Sequence, residues 1–311
     1  MSNFWDNKRV CVTGGGGFIG SHVVAALRWR GVAENNIIVP RSCQYDLRRP
    51  KSALACMAGC QVVIHLAAPT GGIQYSSANP ASQYHDCMMM TLHVMEAARE
   101  RGVEKFVGLG NILAYPANAP MPLEEYSLFT GKVAGTHLGI GQAKRDMVAM
   151  CEMYHRQYGL DAVTVLAANT YGPGDRFDLA SAHVIPATIV KCHRTEGDEI
   201  LRVWGDGTPT RDFLYVDDVA EGILLACEKQ HAPMYHMNLS SGLEVSIGDL
   251  VRTIARLCTF KGMIVWDGEK PSGDLRRVAS GRLAREMLGF EPKIGLEGGL
   301  MRTIDWYRST L

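Results

Sequence analysis

The chain has 311 residues, 47% hydrophobic and 21% charged, a composition that excludes disorder and allows one large or two ordinary globular domains. Lys+Arg and Asp+Glu balance at 32 each, which argues against a nucleic-acid surface, since that needs a basic excess to replace counterions.

In chain order, short β-branched runs alternate with longer amphipathic stretches. Arg9–Thr13 predicts a first strand and Phe18–Arg30 a first helix. Further strands are expected at Asn36–Pro40, Val62–Leu66, Lys105–Leu109 and Ala162–Leu166, with helices at Pro80–Arg101 and Ala143–Tyr158. This alternation, with continuously apolar strands, predicts an α/β fold: a Rossmann-type doubly wound parallel sheet covered on both faces. After Asn169 the pattern loosens. Tyr171-Gly-Pro-Gly-Asp175 is a turn cluster, and helices are expected at Val184–Arg194, Asp217–Lys229, Ser246–Leu257 and Leu296–Tyr307. Short strands are expected at Ile200–Trp204, Phe213–Val216 and Tyr235–Leu239, giving a smaller C-terminal α/β lobe. The expected division is 1–168 and 169–311, with 213–232 among the segments returning to the first domain. Asp217 and Asp218 read as caps of the helix they open.

No apolar run approaches the ~20 residues of a membrane helix, so no membrane partner is expected. The start, Met1-Ser-Asn-Phe-Trp-Asp6, lacks the order of a signal peptide. The nine scattered cysteines, without a Cys-x-x-Cys pair, read as buried thiols of a reducing compartment, and a cytoplasmic location is expected.

The first chemical motif is Thr13-Gly-Gly-Gly-Gly-Phe-Ile-Gly20, between the first strand and the first helix. Gly14, Gly17 and Gly20 permit a tight turn and let backbone N–H groups approach a diphosphate at the helix N-terminus, with Phe18 and Ile19 inside the turn. The second strand ends on Arg41 with no acid until Asp46, which favours NADP over NAD.

These residues carry a resemblance. Gly14–Gly20, His65-Leu-Ala-Ala68, Tyr171-Gly-Pro-Gly174 and Phe213-Leu-Tyr-Val-Asp-Asp218 resemble an extended short-chain dehydrogenase/reductase. More narrowly, Gly71-Gly-Ile73, Met88–Met90, Tyr154–Gly159, Ser181–Pro186, Val203–Arg211, Lys270-Pro-Ser-Gly273 and Arg276-Arg277 resemble the GDP-L-fucose synthases, nearly end to end. The resemblance implies a nicotinamide site including Ala67 and Lys144, and a GDP-sugar substrate. The family's hydride-transfer lysine corresponds to Lys144, but Ile140 stands four residues earlier, where the family has its tyrosine. None of the 11 tyrosines has a lysine four positions on. Asn111 stands at the family's Ser/Thr and Leu113 at its epimerisation cysteine. His183 matches the acid/base histidine, and an imidazole suits that work because its ordinary pKa is ~6.5. Asn169, Lys191, Trp204, Arg211, Arg276 and Arg277 fall at matched positions of the GDP-sugar lobe, where guanidinium forks hold phosphate oxygens.

Two enzymatic readings follow. With the redox tyrosine gone, the first is a GDP-sugar isomerase, a flavin-independent pyranose/furanose mutase of the GDP-L-galactose type. It would depend on Mn²⁺ or Mg²⁺, with Asp178 and His183 as expected ligands. The alternative is an NADPH-dependent GDP-4-keto-6-deoxyhexose epimerase/reductase in which Asn111 and Lys144 relay protons through water. A third reading is a non-catalytic NADP or nucleotide-sugar binding protein. Since such relatives often dimerise, a homodimer is a further expectation.

Overall fold

The computed structural model describes residues 3–69, 71–179, 181–194, 200–269 and 274–311. In chain order, β1 (Val10–Thr13), α1 (Phe18–Trp29), β2 (Ile37–Ile38), α2 (Pro50–Cys56), β3 (Val62–His65), α3 (Ile73–Ala78), α4 (Pro80–Glu100), β4 (Lys105–Asn111), α5 (Leu138–Tyr158) and β5 (Ala162–Ala167) come first. Then follow β6 (Asn169–Tyr171), α6 (Val184–Arg194), β7 (Ile200–Trp204), β8 (Thr210–Arg211), β9 (Phe213–Tyr215), α7 (Val216–Lys229) and β10 (His236–Leu239). The chain ends with β11 (Val245–Ser246), α8 (Ile247–Leu257), β12 (Met263–Asp267), β13 (Arg276–Arg277), α9 (Arg282–Leu288) and α10 (Leu296–Ser309).

Six parallel strands stand in the order β10-β5-β4-β3-β1-β2. Alternation along each strand sends side chains to two cores. Val10, Val12, Ile64 and Val107 pack with Val23 and Leu27 of α1 and Ile223 and Leu224 of α7. Cys11, Val63 and Phe106 face the other way, against Cys56, Met95, Ala98 and Cys151 of α2, α4 and α5. The order reverses beside β1, whose neighbours are β2 and β3, and such a reversal opens a crevice at the carboxyl ends of the strands. A separate core holds the smaller lobe together, with Ile185, Ile189, Leu201, Val203, Leu250, Ile254 and Ile304 buried in it.

Several expectations change. The second strand is only Ile37–Ile38; the sheet's far edge is β10, and α7, within 213–232, packs on the same core as α1. The helix expected from Ala143 begins at Leu138. Gly139 and Gly141 have poor helix propensity, but side chains there would collide with the backbone carbonyls of Pro80 and Leu113, so the glycines let α5 seat against both. Asp217 and Asp218 do not cap α7, which has no side-chain cap. Asp218 instead accepts the backbone N–H groups of Lys293 and Ile294 at 2.9 and 3.0 Å, and Asp217 meets His22. Burial works against charge on His22, but the Asp217 carboxylate and the Pro173 carbonyl prevail and raise its pKa. Cys43 is exposed, whereas the remaining cysteines are buried. No helix among the described residues is long and apolar enough to cross a membrane.

Candidate active site

At the reversal beside β1, Gly14 adopts φ +71°, and a Cβ there would stand 2.9 Å from the Ala67 backbone nitrogen at the end of β3. Gly20 is pressed on the Gly14 carbonyl, with no room for a side chain. Gly17 is the N-cap of α1, which has no side-chain cap and no acidic residue in its first turn. Its leading N–H groups therefore lack a side-chain acceptor, the arrangement that receives a phosphate. Phe18 and Ile19 contribute this backbone while their side chains pack on the smaller lobe's core. The Arg41 guanidinium lies directly over Gly16, so the exposed cation borders the turn. Beneath it, buried His65 shares a 2.8 Å hydrogen bond with Thr13 Oγ1, which in turn accepts from the Ala67 N–H. Burial, with Lys144 nearby, pushes the His65 pKa down to about 3, so this ring is a neutral brace.

Next to the turn, β4 ends on Asn111 and α5 carries Ile140 and Lys144. Lys144 is 4% exposed and forms no ion pair among the described residues. An ammonium left so is costly unless a ligand meets it. Asn111 Oδ1 is likewise buried without a partner. Ile140 packs with Cys87 and Ala143, and Ala68 and Leu113 border the same patch. The positions of the expected phenol and cysteine thus form one apolar surface beside the lysine.

His183 is exposed, and its carbonyl accepts the Ala187 N–H at the start of α6. Half-buried Asp175 faces it. Burial raises the Asp175 pKa against the pull of His183, and its Oδ2 is an unpartnered acceptor. In the sequence Asp175 is only the last residue of a turn cluster. His137 carries no motif signal; it ends a 3-10 turn (Gly135–His137) and is the N-cap residue of α5. His137 feels the charges of Asp274, Arg277, Arg211 and His183. Its position three and seven residues before Ile140 and Lys144 was the available signal.

The two arginines expected side by side in the GDP lobe have other work. Arg277 is 2% exposed and donates to the carbonyls of Ile112, Tyr115 and Pro116, with Asp274 at 3.4 Å. It fastens the loop after β4, and its Nε is buried without a partner. Arg276 is exposed and forks onto Glu244 at 2.7 Å. Asn169 donates one amide N–H to the Asp212 carbonyl at 2.9 Å, leaving its second N–H and its Oδ1. Lys191 donates to the Arg202 carbonyl at 2.8 Å, and burial lowers its pKa. Arg211 is half-buried; burial lowers its pKa and Asp274 opposes this. Trp204, 44% exposed at the end of β7, offers an indole face. The Lys270–Gly273 motif lies outside the described residues.

The metal expectation is not supported. Among the described residues no three His, Cys, Asp or Glu side chains converge as a cation would require. Asp178 instead accepts from the Ser181 hydroxyl at 3.2 Å, and its carbonyl accepts the Ser181 and Ala182 N–H groups in the turn before α6.

Residues 10–239 match the model of the NAD dependent epimerase/dehydratase family. Over 310 residues the chain is 34% identical to a GDP-L-fucose synthase of Sinorhizobium fredii, covering 98% of this chain and 97% of that protein. It is 32% identical to the GDP-L-fucose synthase of Escherichia coli, covering 96% of each. Among solved structures, a GDP-6-OMe-4-keto-L-xylo-heptose reductase from C. jejuni superposes with TM-score 0.92 over 100% of both chains, at 22% identity. The glycine turn at the strand-order reversal, the buried lysine on α5 and these full-length likenesses lead to one assignment: the chain is an extended short-chain dehydrogenase/reductase of the NAD dependent epimerase/dehydratase family.

Proposed function

We propose that the protein is an NADPH-dependent epimerase/reductase of a GDP-4-keto-6-deoxyhexose. The single observation that carries this reading is the full-length likeness to GDP-L-fucose synthases at 34% identity. The residues present fit the dinucleotide. Gly14, Gly17 and Gly20 would take the diphosphate on the N-terminus of α1, and Arg41 would meet a 2′-phosphate. Lys144 would hold the ribose beside the Asn111 carboxamide. Bound there, the nicotinamide supplies hydride.

The chain's own residues do the rest. His183 exchanges a proton at the carbon beside the keto group, Arg211 holds the diphosphate, and Trp204 covers an apolar face of the sugar or base. With Ile140 in place of the phenol, the proton for the reduced oxygen must come from Lys144 through a water that the Asn111 carboxamide can orient, so reduction is slow. A pyranose/furanose mutase has that missing phenol in its favour, but neither the relatives nor the donor sets add anything for it.

The test is incubation with GDP-4-keto-6-deoxymannose, with and without NADPH and EDTA, followed by NMR of the products. Inversion beside the keto group, with NADPH oxidised in step with reduced sugar and no effect of EDTA, is expected. A ring-contracted GDP-hexose formed without NADPH and lost in EDTA would replace this reading with the mutase.

A further inference from the structure

Inverting a carbon beside a carbonyl needs a proton removed from one face and one returned to the other, so one histidine is not enough unless it can reach both. The position of the family's cysteine is filled by Leu113, which borders the apolar patch around Ile140 and cannot carry a proton. We infer that His137 is the second acid/base of the sugar site, working with His183. The inference rests on the epimerase reading and adds to it the residue that completes the inversion.

Three observations place His137 there. As N-cap of α5 it stands three residues before Ile140 and seven before Lys144. Offsets of three and seven put the three on one helix face, with His137 and Lys144 about 10 Å apart along the axis. The face that carries the buried lysine therefore carries an imidazole two turns away. Next, the half-buried ring feels Asp274, Arg277, Arg211 and His183, the charged groups gathered from the smaller lobe and the turn before α6. Lastly, neither the His137 ring nor the His183 ring makes a hydrogen bond among the described residues, so both are available. Next to His137, Thr136 Oγ1 is also buried without a partner, as Asp175 Oδ2 is beside His183.

The chemistry balances without an oxidant. One imidazole, neutral, takes the proton from the carbon next to the keto group, and the C–H electron pair becomes the C=C bond of an enolate. The other imidazole, protonated, delivers its proton to the opposite face of that carbon, and the electron pair returns to the carbonyl. Burial lowers the His137 pKa and Asp274 opposes it, while Arg277, Arg211 and His183 lower it further, so a protonated His137 is a ready donor and suits the returning proton after His183 has taken the first.

Two measurements test this on the whole protein. In D₂O with GDP-4-keto-6-deoxymannose, the wild type should incorporate deuterium with inversion. His137→Gln should bind GDP within about twofold in calorimetry and retain deuterium exchange through His183, yet invert at least about 10²-fold more slowly. Wild-type inversion by that variant would overturn the inference while leaving the epimerase reading intact. If the wild type exchanges no deuterium, the epimerase reading falls. The second measurement then decides on His137 without turnover, by following the imidazole ¹⁵N signals through a pH titration with and without GDP-mannose. A His137 midpoint displaced by more than about 0.5 pH by the sugar nucleotide places it at the sugar site. An unmoved midpoint removes it.

Discussion

The dinucleotide turn and the centre between β4 and α5 lie side by side in the cleft, yet they are built by different means. At the turn, function rests on backbone: Gly14 at φ +71°, Gly20 against the Gly14 carbonyl, and an N-terminus of α1 with no side-chain cap. Side chains matter little there, apart from Arg41 over Gly16. At the centre, everything depends on which side chain occupies a given backbone position, and Asn111, Leu113 and Ile140 stand on a strand, a loop and a helix where the resemblance implies proton-moving residues. A backbone site must be kept whole to work at all, whereas a side-chain site can be rewritten on an unchanged scaffold.

The largest effect should come from damaging the backbone site. Gly14→Val combines a β-branched residue at positive φ with a collision at the Ala67 nitrogen, so NADPH binding should fall by more than about 10³-fold in fluorescence titration. Retained affinity would mean that this turn does not hold the dinucleotide.

Rewriting the side-chain site should work in the other direction. Ile140→Tyr with Asn111→Ser places a phenol four residues before Lys144, and NADPH oxidation on GDP-4-keto-6-deoxymannose should rise by roughly 10²-fold. No gain in a folded double variant would show that the loss of redox chemistry is not confined to those positions.

The two halves of the GDP lobe separate next. Arg277→Ala removes a buried cation bonded to three carbonyls and should lower stability by about 3 kcal/mol in urea unfolding. Arg211→Ala should leave unfolding nearly unchanged but weaken GDP binding by about 1.5–3 kcal/mol in calorimetry. A reversal of the two phenotypes would exchange their roles.

Arg41→Ala should weaken NADPH binding about 10-fold while leaving NADH affinity unchanged, since only the 2′-phosphate meets the guanidinium. Equal loss for both cofactors would assign Arg41 to the turn itself.

A last effect, visible only as a slope against pH, concerns the brace under the turn. His65 is held neutral with its pKa near about 3, whereas in the unfolded chain it titrates at its ordinary value of 6.5. Between those values the unfolded state binds the extra proton, so this contribution is complete above pH 6.5 and is lost as pH falls toward 3. His65→Gln should flatten the fall of stability by up to about 1.4 kcal/mol per pH unit in that window. An unchanged slope would show that His65 is protonated in the folded protein.

What the amino-acid sequence determined by itself is local. Val10–Thr13 running into Gly14–Gly20 is strand, turn and helix in consecutive residues, and the Ile140 to Lys144 offset is read directly from the chain. Arg41 was legible because an arginine closing the second strand is a local signal too. Contacts made across the chain were beyond a linear reading. Arg276 and Arg277 look alike in sequence, but β13 lies beside β8 and alternation turns one toward solvent and the other into the loop after β4. The start of α5 was hidden by Gly139 and Gly141, whose low propensity is overridden where their missing side chains admit Pro80 and Leu113. With the helix expected from Ala143, His137 falls outside every expected element. Only the packed first turn of α5 sets it on the face of Lys144, within reach of charges that come from the other half of the chain.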